Sequence, residues 1–85
     1  MARFTVEELR EVLIEAAGLP PGLSIEDPST SLADLDVDSV SLLSLVVALE
    51  KRCGVRIRAT DALRMHTVGD AVELVNGLLE RADSV

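Results

Sequence analysis

The sequence predicts an all-α fold, a small antiparallel bundle of three longer helices plus one short helix, with a long loop between helices 1 and 2. Apolar residues recur at helical spacing in three segments, and start and stop signals bound each one. No segment alternates polar and apolar residues as a strand would. With 85 residues, 48% of them hydrophobic, the chain can close one small core. We therefore treat residues 1–85 as a single domain.

The first helix is expected to begin at about Val6. Thr5-Val6-Glu7-Glu8 has the form of a capping box, and Phe4 and Leu9 stand where a hydrophobic staple would sit. Gly18 and the prolines that follow it end the element. The apolar stripe of this helix comprises Leu9, Val12, Leu13 and Ala16.

The segment from Gly18 to Asp38 has no persistent period and is rich in Pro, Gly, Ser and Asp, which predicts a loop that is long for so small a domain. Ser31 to Leu35 is expected to form a short helical turn. The apolar residues expected to fasten the loop to the core are Leu23, Ile25, Leu32 and Leu35.

Asp38 is a predicted N-cap for a second helix that runs from Ser39 to about Cys53 and stops at Gly54. This helix carries two apolar stripes, and one small domain can hardly bury both. The broader stripe comprises Leu42, Leu45, Val46, Leu49 and Cys53; the narrower one comprises Val40, Leu43 and Val47. The narrower stripe is either core beneath the long loop or a surface for a partner, and the sequence leaves both interpretations open.

A short helix is predicted from Asp61 to Met65, capped by Thr60. Thr67, with Asp70 three residues later, then signals the start of the last helix. Apolar residues follow at helical spacing towards the C-terminus, namely Val68, Ala71, Val72, Val75, Leu78, Leu79 and Ala82.

Composition argues against several classes of function. A net charge of −7 and a single aromatic residue, Phe4, disfavour nucleic-acid binding. Cys53 is the only cysteine, so an internal disulfide and a cysteine-based zinc site are excluded, and a reducing cytoplasmic setting is expected. The N-terminus lacks an apolar signal region and no stretch approaches membrane-spanning length, which predicts a soluble protein without a membrane association.

The residues around Ser39 carry the functional signal. The run Leu35-Asp36-Val37-Asp38-Ser39-Val40, followed by an apolar helix, resembles the attachment signature of acyl carrier proteins, commonly written Leu-Gly-x-Asp-Ser-Leu. The order of helices and loop is also similar from end to end. The resemblance implies that a serine receives 4′-phosphopantetheine from coenzyme A, and that the thiol of this arm carries an acyl chain. By position, that serine is Ser39.

The chemistry of a helix start gives independent reasons for this placement. A first-turn serine hydroxyl points outward, and the free N–H groups and the helix dipole favour a nearby phosphodiester anion. Asp38 would cap the helix beside it. No general base is evident for Ser39, so a separate transferase must activate it, and the chain is expected not to be an enzyme. The alternative is an ordinary first-turn serine, because Ser and Asp cluster at helix starts for capping reasons.

The acids near Ser39 invite two interpretations. Asp34, Asp36 and Asp38 alternate as in a calcium loop, but Ser39 and Leu45 stand where that loop needs Gly and Glu, so no metal site is predicted. The acids either steer a basic partner or are simply solvated.

Two positions depart from the family signature, because Asp36 replaces its Gly and Val40 its second Leu. The predicted docking residues are Asp34, Asp36, Val40, Leu43, Val47 and Glu50.

The segments from Leu49 to Ile57 and from Val75 to Leu79 look closer to discrete carriers of bacterial polyketide assembly. The leading hypothesis is a monomeric acyl carrier of a polyketide or fatty-acid pathway, served by a phosphopantetheinyl transferase, a ketosynthase and acyltransferase-type enzymes. A peptidyl carrier and a helical interaction module without a prosthetic group are the alternatives. His66 is expected to be a solvated linker residue and Cys53 a buried, inert thiol.

Overall fold

The computed structural model describes residues 3–25 and 27–83. Its helices are α1 (Val6–Ala16), α2 (Ser39–Cys53), α3 (Ala59–Ala62) and α4 (Val68–Asp83), and a 3₁₀ turn covers Ala33–Leu35 in the long loop. This order confirms the predicted all-α class, with three longer helices, one short helix and the short turn between the first two. Helix α1 packs against both α2 and α4, and α2 also packs against α4.

Helix α1 begins as the capping signal predicted. The hydroxyl of Thr5 accepts a hydrogen bond from the backbone N–H of Glu8 at 3.2 Å, and Phe4 and Leu9 are both buried in the core. The sequence did not reveal that the N-terminal segment is also tied to α4. The backbone N–H of Phe4 donates to Oδ1 of Asn76 at 2.8 Å, and Nδ2 of Asn76 donates to the carbonyl of Phe4 at 3.0 Å.

The long loop is fastened at both ends by hydrogen bonds. Near α1, the guanidinium of Arg10 donates to the carbonyl oxygens of Pro21 and Leu23. Near α4, backbone N–H groups donate to loop carbonyls, from Val68 to Thr30 at 2.9 Å and from Gly69 to Pro28 at 2.7 Å. These bonds satisfy polar backbone groups of a segment that has little secondary structure of its own.

Three of the four apolar anchors predicted for this loop are confirmed. Leu32 is buried, and Ile25 and Leu35 are partly buried against the core. Leu23 is the exception, because its half-buried side chain is not among those packed against the core. Its carbonyl is held by Arg10 instead, so a polar contact fixes this part of the loop.

The predicted bounds of the short helix are wrong. Helix α3 begins at Ala59, two residues earlier than expected, and Thr60 lies inside it. The cause is the role of Asp61, whose carboxylate reaches back and accepts the backbone N–H of Arg58 at 3.3 Å. Asp61 is thus the third helical residue and not the first. Met65 lies beyond the helix and is buried in the core.

Helix α4 begins with the predicted reciprocal cap. The N–H of Asp70 donates to the hydroxyl of Thr67 at 3.0 Å, and the N–H of Thr67 donates to the carboxylate of Asp70 at 3.1 Å. The latter bond lowers the pKa of Asp70. Val68, Ala71 and Val75 of the predicted stripe are fully buried. Val72, Leu78 and Leu79 are partly buried, and the side chain of Ala82 lies outside the described residues.

Candidate functional site

Ser39 is the first residue of α2 and its side chain is exposed. The preceding residue, Asp38, is the N-cap, with an extended backbone and a carboxylate that accepts the N–H of Ser41 at 2.8 Å. The carbonyl of Asp38 accepts the N–H of Leu42 at 2.8 Å, which starts the helical ladder. Within the part of the chain that the structure describes, no hydrogen bond engages the hydroxyl of Ser39. The hydroxyl is therefore accessible at a helix end with a fixed geometry.

The turn before α2 depends on a left-handed residue, Asp36, with φ 62° and ψ 27°. Its N–H donates to the carbonyl of Ala33, and the N–H of Val37 donates to the carbonyl of Leu32, each at 3.1 Å. These bonds close the 3₁₀ turn and redirect the chain towards Ser39. Left-handed backbone is least costly for glycine, and among other residues Asp and Asn tolerate it best. The conformation accounts for the Gly at this place in the signature and for its replacement by Asp here.

We expect Asp36→Val to lower the free energy of unfolding by about 1–2 kcal/mol, because a β-branched side chain is strained at positive φ. Asp36→Gly should change it by less than about 0.5 kcal/mol, since glycine removes the strain but gives the unfolded chain more freedom. Urea unfolding followed by circular dichroism measures both variants. Equal stability of the valine and glycine variants would show that residue 36 does not adopt this conformation in solution.

Three exposed acids surround the start of α2, namely Asp34, Asp36 and Asp38. The carboxylate of Asp38 is engaged by the N–H of Ser41, and this bond is the main reason that the pKa of Asp38 lies below its ordinary value. Nothing in the described residues forms a group of three or more His, Cys, Asp or Glu able to hold a metal ion.

The depressed pKa of Asp38 predicts a loss of stability in acid. For a group whose pKa is lower in the folded state, the contribution is complete above the unfolded value, about 3.9 for Asp, and is lost as the pH falls through the folded value. Asp38→Asn keeps a capping oxygen but does not titrate. Between about pH 5 and about pH 3 the thermal midpoint of this variant should therefore fall less than that of the wild type.

The comparison is made by circular dichroism in matched buffers. The thermal midpoint of the variant should still depend on pH to some extent, because the pKa values of Asp27 and Asp70 are lowered by similar backbone hydrogen bonds. Parallel slopes for variant and wild type would mean that Asp38 does not cap the helix as a carboxylate.

One of the two apolar stripes of α2 is buried and the other is exposed. Leu45, Val46 and Leu49 are buried in the core, with Leu42 and Cys53 partly buried beside them. The narrower stripe faces outward, because Val40, Leu43 and Val47 are 73%, 66% and 49% exposed. The long loop does not fold over this stripe, so the interpretation of these three residues as core is wrong. Large contiguous apolar patches mark interaction sites, and a docking role for this stripe stays a prediction.

Glu50 lies one turn beyond Val47 on α2, but its carboxylate has a structural contact. It accepts the backbone N–H of Ile57 at 2.9 Å and thereby holds the connection between α2 and α3. Its part in docking remains a prediction. Leu63, which directly follows α3, is 72% exposed and is not among the predicted docking residues. The bounds predicted for the short helix, Asp61 to Met65, place this residue inside the helix instead of at its end.

The remaining candidates have no visible part in the site. His66 is exposed, as predicted, and its carbonyl accepts the N–H of Leu32 at 2.9 Å. Cys53 is only partly buried, so the prediction of a buried thiol is correct in part. Burial, and then the nearby charge of Glu8, raise the pKa of this thiol, which keeps it protonated and weakly nucleophilic at neutral pH.

The geometry is that of a carrier domain, in which a helix end presents an accessible hydroxyl that no hydrogen bond among the described residues engages. The chain matches the family described as "Phosphopantetheine attachment site" over residues 7–75. It is 40% identical over 67 residues to an acyl carrier protein of Acidothermus cellulolyticus, covering 79% of each chain. An acyl carrier protein of Kineococcus radiotolerans is 40% identical over 68 residues, covering 80% of this chain and 83% of its own.

Solved structures agree with this relationship. The actinorhodin acyl carrier protein of Streptomyces coelicolor, in its 3-oxo-butyl form, superposes with a TM-score of 0.81 at 34% identity, covering 95% of this chain and 96% of its own. An acyl carrier protein of Thermotoga maritima has a TM-score of 0.82 at 24% identity, covering 92% and 89%, and supports the fold. The chain belongs to the acyl carrier protein family, whose covalently attached prosthetic group is 4′-phosphopantetheine.

Proposed function

We propose that Ser39 is the residue that carries the phosphopantetheine arm, and that the protein delivers polyketide intermediates to the enzymes of a biosynthetic pathway. The observation that carries the proposal is the exposed Ser39 hydroxyl, which no hydrogen bond within the described residues engages, at the first turn of α2. The prosthetic group supplies a thiol on which acyl groups are held as thioesters.

The chain's own residues would present this group without acting on it. The first-turn N–H groups of α2 and the helix dipole favour an anion at the hydroxyl of Ser39. The carboxylate of Asp38 accepts the N–H of Ser41 and is thereby held in place as the cap of the helix. No described side chain acts as a base towards Ser39, so a phosphopantetheinyl transferase must deprotonate the hydroxyl.

Two observations support a polyketide pathway over a fatty-acid pathway. The actinorhodin carriers share the fold at 32–34% identity in several of their forms. The resemblance also implies that carriers of bacterial fatty-acid synthesis line this helix with acids, whereas the matching positions here read Ser41, Ser44, Glu50, Lys51 and Arg52. The exposed face of α2 is instead largely apolar, through Val40, Leu43 and Val47. A ketosynthase and acyltransferase-type enzymes would contact this face. Asp34 and Asp36 would attract basic groups near the arm, and Glu50 would lie at the far edge.

The proposal also includes a monomeric protein that works in the cytoplasm. The net charge of −7 opposes self-association. None of the described helices is both long and apolar enough to cross a membrane.

The test begins with incubation of the purified protein with coenzyme A, Mg²⁺ and a broad-specificity phosphopantetheinyl transferase. Intact mass should rise by one phosphopantetheine group, and fragmentation of the modified peptide should place that group on Ser39. No gain in mass would favour the helical interaction module, and modification of another residue would refute the role of Ser39.

The pathway is tested on the modified protein after loading with malonyl groups. The loaded carrier is offered to the actinorhodin ketosynthase of Streptomyces coelicolor and, in parallel, to a fatty-acid ketosynthase. Faster turnover by the polyketide enzyme supports the proposal, and the reverse order assigns the protein to fatty-acid synthesis. Efficient loading of amino acids by an adenylating enzyme, with neither ketosynthase active, would indicate a peptidyl carrier.

A further inference from the structure

The charge on the exposed side of α2 changes sign along the helix. Asp34, Asp36 and Asp38 lie before its first turn, and Lys51 lies in its last turn. Between these ends, the outward-facing positions are the apolar Val40, Leu43 and Val47 together with Ser44. The surface therefore has an acidic end, an apolar middle and, at the far end, the cation of Lys51 beside Glu50, whose carboxylate is bonded to the N–H of Ile57.

Lys51 lies directly beside the apolar stripe. It lines one shallow depression together with Leu43, Ser44, Val47 and Ala48. A second depression shares Ala48 and Lys51 and extends onto α1, where Val12, Glu15 and Ala16 line it. The two depressions thus form one surface that turns from α2 onto α1 at Lys51.

The ammonium group of Lys51 is available to a partner. Arg52, its neighbour, is already engaged, because its guanidinium donates to the carboxylate of Glu11 at 2.8 Å. Within the described part of the chain, no ion pair involves Lys51. The helix dipole favours a cation in the last turn, but it does not require that the cation border an apolar surface.

We propose that the enzyme that docks on this carrier presents an apolar ridge to Leu43 and Val47 and a carboxylate to Lys51. This inference rests on the proposed function and specifies the partner of the same site. A partner surface that was basic throughout would suit Asp34 and Asp36 but would meet Lys51 with a like charge. Matching all three regions fixes the direction of α2 on the enzyme, so that Ser39 faces the basic part of the enzyme's surface. A second copy of this chain is a poor occupant, because each copy carries a net charge of −7.

The experiment measures transfer from the malonyl-loaded carrier to the actinorhodin ketosynthase for the wild type, Lys51→Glu and Arg81→Glu. Arg81 is exposed and lines a separate depression between α3 and α4, so the control makes the same change in net charge elsewhere. Lys51→Glu should lower kcat/KM by about tenfold at low ionic strength, and added salt should reduce the difference. Arg81→Glu should stay within about twofold of the wild type.

The possible results separate this inference from the function on which it rests. Failure of the wild type to accept the arm or to transfer its cargo refutes the proposed function, and the inference falls with it. If the wild type transfers normally but Lys51→Glu has the same kcat/KM as the wild type or as Arg81→Glu, the inference alone is refuted. Sedimentation provides a further check, because a dimer that Leu43→Glu converts to a monomer would place a second copy on this face and overturn the proposal.

Discussion

Ser39→Ala should abolish attachment of the phosphopantetheine arm while the protein stays folded. The variant removes the oxygen that would form the phosphodiester, and the other hydroxyl of the first turn of α2, that of Ser41, is less exposed than that of Ser39. The lost oxygen is exposed and has no hydrogen-bond partner within the described residues, so the free energy of unfolding should change by less than about 0.5 kcal/mol. Intact mass after incubation with coenzyme A and a transferase measures the first effect, and urea unfolding measures the second.

Ser44→Ala is the matched control for this experiment. Ser44 is also an exposed serine on α2, but it lies inside the helix, away from the free N–H groups of the first turn. This variant should gain the full mass of the arm at the wild-type rate. A mass gain on Ser39→Ala, or its loss on Ser44→Ala, would place the attachment residue elsewhere.

The helix starts could be predicted from the sequence because the caps are local. Thr5, Asp38 and Thr67 each accept a backbone N–H from a residue three positions later, and such contacts depend on neighbours in the chain alone. Local sequence alone gave the wrong start for α3. An Asp near a helix start can be its first residue or can reach back from the third position, and only the fold distinguishes the two for Asp61.

Features that depend on packing could not be predicted in the same way. Both stripes of α2 have helical spacing, and which one is buried is decided by where α1 and α4 lie. The pairing of Phe4 with Asn76 joins residues 72 positions apart. Asn76 offered only a weak signal, as a polar residue within a largely apolar helix. The place of Lys51 beside the apolar stripe, by contrast, follows from helical spacing, because Lys51 lies four residues after Val47 on α2.

The site combines a backbone that is held in place with a hydroxyl that is accessible. The cap of Asp38, the left-handed turn at Asp36 and the buried Leu32 fix the backbone on the N-terminal side of Ser39, while the hydroxyl itself stays exposed. A carrier needs both properties, because a transferase and several pathway enzymes must reach the same residue in the same orientation. The rest of the bundle serves to hold α2 with one face buried and the other open.

Two leucines of α2 allow these two faces to be separated by experiment. Leu45 is fully buried and Leu43 is 66% exposed, although they are two residues apart. Leu45→Ala should lower the free energy of unfolding by about 3 kcal/mol, since it removes buried methyl groups and leaves a cavity. That loss is a large part of the total, because a domain of this size is stable by roughly 4–13 kcal/mol.

Leu43→Ala should change the free energy of unfolding by less than about 0.5 kcal/mol, because its side chain is mostly in water in the free protein. It should instead reduce kcat/KM for transfer to the ketosynthase, since the apolar contact exists only in the complex. Urea unfolding and transfer kinetics on both variants provide the comparison. Similar losses of stability for the two leucines would contradict the assignment of opposite faces, whereas a stable Leu43→Ala with unchanged transfer would remove the stripe from the docking surface.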